Sequence, residues 1–494
     1  MRQYDSDRLS PSARIDHHLI ENYLQSVIWK AETKKDEEWD ASLYNVTGLI
    51  AFMLSEQYAP LEERLTAIMS RIDRVPEYYE VGRLNLNNAV PELIELSIQQ
   101  NEGGLSVLTK DLADSIHKSG LPDSVRSVFR EKNKEAIAAI QDFTGNLKAV
   151  LPESKRSFRL GKELYEQQFS YDIQSDLTAE QLYREALKRK AYLHQEMAKI
   201  SRTLWPEYFG SADMPADSLV LVKMMIDTLS VNHVKPGEFQ SAIEKQLPEL
   251  TKFVNEKNLL YLDPSKPLVV RKEPAYMAGV AGASISAPGP YDTSGNTYYN
   301  VGSLASWPKD KAESYLREYN HYILQILNIH EAIPGHYTQL VYANKSGSLI
   351  KSVLANGAMI EGWAVYTEQM MLENGYGNEE PEMWLMWYKW NLRTVCNTIL
   401  DYAVHVSGMS EEDAMELLIH QAFQQEAEAS GKWRRVNVTS VQLTSYFSGY
   451  TEIIRLREEW KKKQGDKFDL KEFHEQFLSY GNAPVKYIKE MMMR

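Results

Sequence analysis

The chain has 494 residues, a single cysteine and a formal net charge of -13, with 43% hydrophobic and 25% charged residues. That length and balance describe folded lobes with a large interior and exclude a disordered chain. The acidic total, with no basic stripe to offset it, argues against a nucleic-acid partner, and the lone Cys396 excludes an internal disulfide or a multi-cysteine zinc site.

From the N-terminus, MRQYDSDRLSPSARIDHH shows no basic region followed by an apolar core, so no signal peptide is written in it. An exported protein, periplasmic or lipid-anchored, whose leader has been removed is equally compatible with this start. No stretch approaches the ~20 uninterrupted apolar residues of a membrane-spanning helix, and a soluble chain is expected. Helical signals dominate the first half. Ser10-Pro11 reads as an N-cap followed by proline at the first helical position, and Thr178 to Gln181 fits a capping box. The run KKDEE at 34–38 reads as the solvated face of a helix.

Near residue 260 the texture changes to LDPSKPLVVRKEP and AGASISAPGPYDTSGNTYYNV, rich in Gly, Ser, Pro and short β-prone pieces, which predicts one small sheet. The simplest partition is a helical N-terminal lobe, 1–255, and a catalytic, metal-binding lobe, 256–494. Helical patterning resumes in KAESYLREYNHYILQILNIHEA, where Leu316, Tyr319, Ile323, Ile326 and Leu327 recur at three- and four-residue steps. A later helix start is marked by Ser410 to Asp413, before AMELLIHQAF.

His330-Glu331-Ala332-Ile333-Pro334-Gly335-His336 carries the chemistry. Imidazole is a preferred ligand for a zinc-type ion. In the familiar HExxH pattern two histidines four apart share one helix face. Here the second histidine comes two residues late, and an undistorted helix would turn it about 240° away from the first. Pro334 lacks an N–H and Gly335 tolerates unusual backbone angles, so the pair predicts a local bulge that returns His336 towards His330.

Such a site needs a third ligand, commonly a carboxylate from a later helix, with a water in the fourth position. Glu361, opening EGWAVYTEQMM, is the choice. Glu368, seven residues on and on the same helix face, is the competitor or the partner that orients a histidine. Glu331 then takes the role of general acid/base: it accepts the proton of a metal-activated water and delivers it to the leaving amine.

These residues, HEAIPGHYTQ followed by EGWAVYTEQ, resemble the bacterial family called domain of unknown function 885, which is related to the gluzincin metallopeptidases. The likeness extends from LSPSARIDHHLIENYL through PAYMAGVAGASISAPGPYD to FDLKEFHEQFLSYGNAPV. It implies one zinc ion per chain on His330, His336 and Glu361, Glu331 as catalytic acid, and a pattern that includes Gln339. It also implies a mainly α, zincin-like fold with a small sheet at the rim of a cleft. Asp401-x-x-x-His405 and Tyr446-x-x-Gly449 resemble recurrent family positions, and Arg393 lies in the corresponding helix. By analogy with gluzincins, Tyr446 or His405 donates to the oxyanion, and ASISAPGPYD forms an edge strand for an extended peptide. Members usually begin further upstream, often with a leader, and EAEASGKWRRVNVTSVQLTSY lacks the Arg-Tyr and Pro-Gly pattern of the family.

The expected activity is zinc-dependent hydrolysis of an amide bond in a peptide. The alternatives are a metal hydrolase of a non-peptide amide or ester, or a metal-containing binding protein without turnover.

Overall fold

Gln181 N–H donates to Thr178 Oγ1 at 3.2 Å and Thr178 N–H donates to Gln181 Oε1 at 2.9 Å. This capping box opens the 31-residue helix Ala179–Phe209 where the sequence predicts a start. Ser10 likewise accepts the Ala13 N–H ahead of the helix Pro11–Trp29, and Ser410 accepts the Asp413 N–H. The computed structural model describes residues 8–273, 283–291, 295–305 and 307–494. It is 73% helical with a single three-stranded sheet among the described residues, in keeping with the mainly α expectation. No helix among them is long and apolar enough to cross a membrane.

The chain divides into two compact units. Val27–Phe158 forms the smaller, and Arg159–Arg494 joins the chain up to Ser26 in the larger. The smaller unit packs Leu65, Ile68, Ile72, Phe129, Ile140 and Phe143 into one core. At its buried centre Asn101 donates to the carbonyls of Tyr44 (3.0 Å) and Ser97 (2.9 Å) and accepts from the Tyr79 hydroxyl (2.5 Å). The KKDEE run in this unit departs from the expected helix face. Lys35 adopts φ 54°, which breaks the segment into two short turns, Lys30–Lys34 and Asp36–Glu38. Charge patterning alone could not signal that left-handed residue.

In the larger unit the helix Pro381–Tyr402 packs along Ala179–Phe209, and Gly357–Glu373 packs along Ser445–Gln464. The sheet falls where the Gly, Ser and Pro texture predicts it: β1 (Leu268–Lys272), β2 (Ala283–Ser286) and β3 (Thr297–Val301). Their order is β1-β3-β2, with β1 parallel and β2 antiparallel to the central β3. Residues 274–282 and Asp292, which belong to the motif read from the sequence, lie outside the described residues. Fully buried Tyr299 of β3 donates its hydroxyl to Asn328 at 2.9 Å, which ties the sheet to the helix His321–Glu331.

The apolar run before the histidines forms two helices. Lys309–Glu318 ends, and Asn320 then caps His321–Glu331 by accepting the N–H groups of Tyr322 and Ile323. Asparagine satisfies the free amides at a helix start, so a new axis begins there while Leu316, Ile323, Ile326 and Leu327 all stay buried.

Candidate metal centre

The helix His321–Glu331 stops one residue after His330, and a second helix, His336–Ala343, starts on the other histidine. Residues 332–335 connect them by wide backbone turns: Ile333 N–H reaches the carbonyl of Asn328 at 3.2 Å, and Gly335 N–H reaches that of Ile329 at 3.0 Å. The predicted bulge inside one helix is therefore a break between two. Gly335 is required there. A Cβ on it would sit 1.8 Å from the His330 carbonyl oxygen, closer than any side chain can approach. Trp363 holds the break from outside, donating its indole N–H to the Pro334 carbonyl at 2.9 Å.

This path turns the rings together. The His330 and His336 centroids lie 4.8 Å apart at 86°, and Glu361 of the helix Gly357–Glu373 faces both. Its Oε2 is 3.7 Å from His330 Nε2 and 3.4 Å from His336 Nε2, and one donor atom from each residue lies within 4.8 Å of the others. Those separations are long for hydrogen bonds. They suit a shared tetrahedral ion, because arms of ~2.0–2.1 Å place neighbouring donors about 3.4 Å apart. Glu361 Oε2 is also buried without a hydrogen-bond partner, a costly state that a cation at this point would relieve. The residues thus fit a zinc-type ion. His330 Nδ1 meets Glu368 Oε1 at 2.7 Å, and Trp390 Nε1 donates to the same oxygen at 3.0 Å. Of the two carboxylates open in the sequence, Glu361 faces both Nε2 atoms and Glu368 orients one ring.

Burial works against charge on His330, but the Glu361 and Glu368 carboxylates overcome it and raise the ring to about 10. Burial likewise opposes ionisation of Glu361, and the two imidazoles outweigh it and hold the carboxyl well below its ordinary range. Burial lifts Glu368, so both partners of the His330–Glu368 pair favour keeping a proton between them. Glu331 is raised chiefly by burial, with His336 and His330 pulling against it. A carboxylate lifted in this way is better matched to proton transfer near neutral pH.

The family model described as "Bacterial protein of unknown function (DUF885)" matches residues 1–492. The chain belongs to the DUF885 family. Among solved structures, a protein from Shewanella oneidensis described as a "putative lipoprotein of unknown function" is 53% identical, with a TM-score of 0.91 over 100% of this chain and 90% of its own. A second, the "putative lipoprotein from Colwellia psychrerythraea", is 19% identical, with a TM-score of 0.72 over 89% and 77% of the two chains, and it supports the fold alone. No curated protein matches this DUF885 chain.

The remaining motif residues divide between two places in the DUF885 fold. Tyr446 lies at the ligand cluster, its ring 6.5 Å from that of His330 at 22°. Burial, reinforced by the Glu361 charge, pushes its hydroxyl up to about 12 and keeps it a donor. Gly449, one turn on, is where Ser445–Gln464 meets Gly357–Glu373. A Cβ there would come 1.7 Å from the Ala358 carbonyl oxygen, and one on Gly362 would come 2.3 Å from the Gly449 carbonyl carbon. That close crossing fixes Tyr446 relative to Glu361.

His405 has different partners, with Nε2 at 3.0 Å from the carbonyls of both Val436 and Thr439 and its ring stacked on Tyr165. Asp401, one turn earlier, accepts the N–H groups of Val441 (3.0 Å) and Leu443 (2.9 Å). Val441 stands at φ 67°, rare for a β-branched residue, in the turn that leads into Tyr446. Asp401-x-x-x-His405 thus anchors the turn before Tyr446. Gln339 faces Asn482, whose carbonyl in turn receives the Asn356 N–H, so it braces the second histidine helix. Arg393 stacks over Trp390 with Cζ 4.6 Å from the ring and pairs with Glu428. Sequence reasoning missed Trp363, Trp390 and the crossing at Gly362. Each contact joins segments far apart in the chain, and only the glycine in EGW hinted at one.

Proposed function

We propose that this DUF885 chain is a zinc-dependent hydrolase, a peptidase of gluzincin type. One observation carries the reading: His330 Nε2, His336 Nε2 and Glu361 Oε2 converge at separations that suit a single tetrahedral ion. When bound, that ion supplies Lewis acidity at a scissile carbonyl and makes water acidic enough to attack near neutral pH.

The chain's own side chains account for the rest. Glu331, next to a ligand and raised by burial, takes a proton from the attacking water and passes it to the leaving amine. Tyr446, protonated at neutral pH and beside His330, donates to the developing oxyanion. Glu368 holds the His330 ring so that Nε2 faces its partners. Strand β2, on the edge of the described sheet, offers backbone groups to an extended peptide. The description of the 53% identical relative as a lipoprotein supports an exported location for this chain as well.

The test is cleavage of a peptide library by the zinc-loaded chain and by Glu331→Gln. The expected result is equal metal content in both and turnover reduced by roughly 10²–10⁴-fold in the variant. Undiminished cleavage by Glu331→Gln would remove Glu331 from the mechanism. No cleavage of any peptide by the zinc-loaded wild type would overturn the peptidase assignment.

A further inference from the structure

We propose that His17, His18 and Glu21 form a second divalent-cation site, of zinc type, on the helix Pro11–Trp29. One donor atom from each of the three lies within 4.8 Å of the others. Helix geometry explains the convergence. At 100° per residue His18 stands 100° round from His17, and Glu21, one turn along, falls at 40°, between the two imidazoles. Two imidazoles and a carboxylate are the donor types that select a zinc-like ion over calcium or magnesium.

A second observation points to a ligand. Both ring nitrogens of His17 are buried and have no hydrogen-bond partner among the described residues. A neutral imidazole always carries one N–H and one lone pair, so leaving both unmatched is costly. Coordination would satisfy the nitrogen that faces Glu21 and His18. The His18 ring is held in place by stacking on Tyr487, 5.6 Å away at 5°, so its ordering does not have to be supplied by the ion. The Glu21 carboxylate reaches solvent and gives the site an opening to it. None of these residues is shared with the cluster at His330, so the proposal stands independently of the catalytic reading.

The experiment uses the full chain without a histidine tag, stripped of metal and titrated with Zn²⁺ by calorimetry, with elemental analysis after dialysis. Wild type is expected to bind two ions. His17→Gln and Glu21→Gln should each lose one site or weaken it by more than the roughly 10–100-fold that removal of an outer partner costs. The Glu21 carboxylate reaches solvent, so its variant tests the site even where His17→Gln fails to fold. His336→Gln should keep this ion while losing the other. Two ions retained with unchanged affinity in both His17→Gln and Glu21→Gln would overturn the proposal. So would a single ion in wild type that is lost in His336→Gln, a result that leaves the catalytic centre intact. A single ion lost in Glu21→Gln and unaffected in His336→Gln would support this site and count against the other.

Discussion

His330 Nδ1 lies 2.7 Å from Glu368 Oε1, on a carboxylate that has no exposed surface and that also receives Trp390 Nε1. The bond assigns the proton of the neutral imidazole to Nδ1 and leaves the Nε2 lone pair facing His336 and Glu361. Glu368→Gln keeps the shape and an acceptor for Trp390 while removing the charge. We expect it to fold, to bind Zn²⁺ about 10–100-fold more weakly, and to lose turnover in proportion to occupancy. Competition with a chelator of known affinity measures this, and an unchanged zinc affinity would contradict the orienting role.

Metal uptake is expected to displace protons. In the metal-free chain His330 is raised to about 10 from 6.5, since the two carboxylates outweigh its burial. A raised folded-state pKa contributes stability that is fully present below pH 6.5 and lost as the pH climbs through about 10. The metal-free chain should therefore weaken over that window. Zinc takes the neutral ring, so binding at pH 7–8 releases about one proton from this residue. Calorimetry in buffers of different ionisation enthalpy reads it out, and a heat independent of buffer would contradict it.

Gly449→Ala places a Cβ 1.7 Å from the Ala358 carbonyl oxygen, with backbone and no flexible side chain to give way. The helices 357–373 and 445–464 must separate, at about 1–3 kcal/mol or more. Because Glu361 and Tyr446 ride on those two helices, zinc affinity should fall along with the melting temperature. A variant that melts like wild type and binds zinc equally well would show that the crossing does not set the site.

Much of this was legible in local patterns, and what escaped them has physical reasons. Capping side chains at Ser10, Thr178 and Ser410 act within three residues, so the sequence displays them directly. The Pro334-Gly335 pair announces a distortion, yet whether it bulges one helix or parts two depends on Trp363 gripping the Pro334 carbonyl from 29 residues away. The KKDEE run suggested a helix face because charge patterning carries no sign of Lys35 at positive φ. Asp401 and His405 carried chemistry-bearing side chains in a recurrent spacing. Their partners, Val436, Thr439, Val441 and Leu443, lie about ten turns of helix away in sequence, and only the fold reveals that they steady a strained turn.

The central claim is that one ion sits between His330, His336 and Glu361. Anomalous diffraction at the zinc edge from zinc-loaded crystals of the full chain tests it most directly. The account predicts a peak within bonding reach, ~2.0–2.2 Å, of His330 Nε2, His336 Nε2 and a Glu361 carboxylate oxygen. No anomalous density between these three side chains at saturating zinc would contradict it.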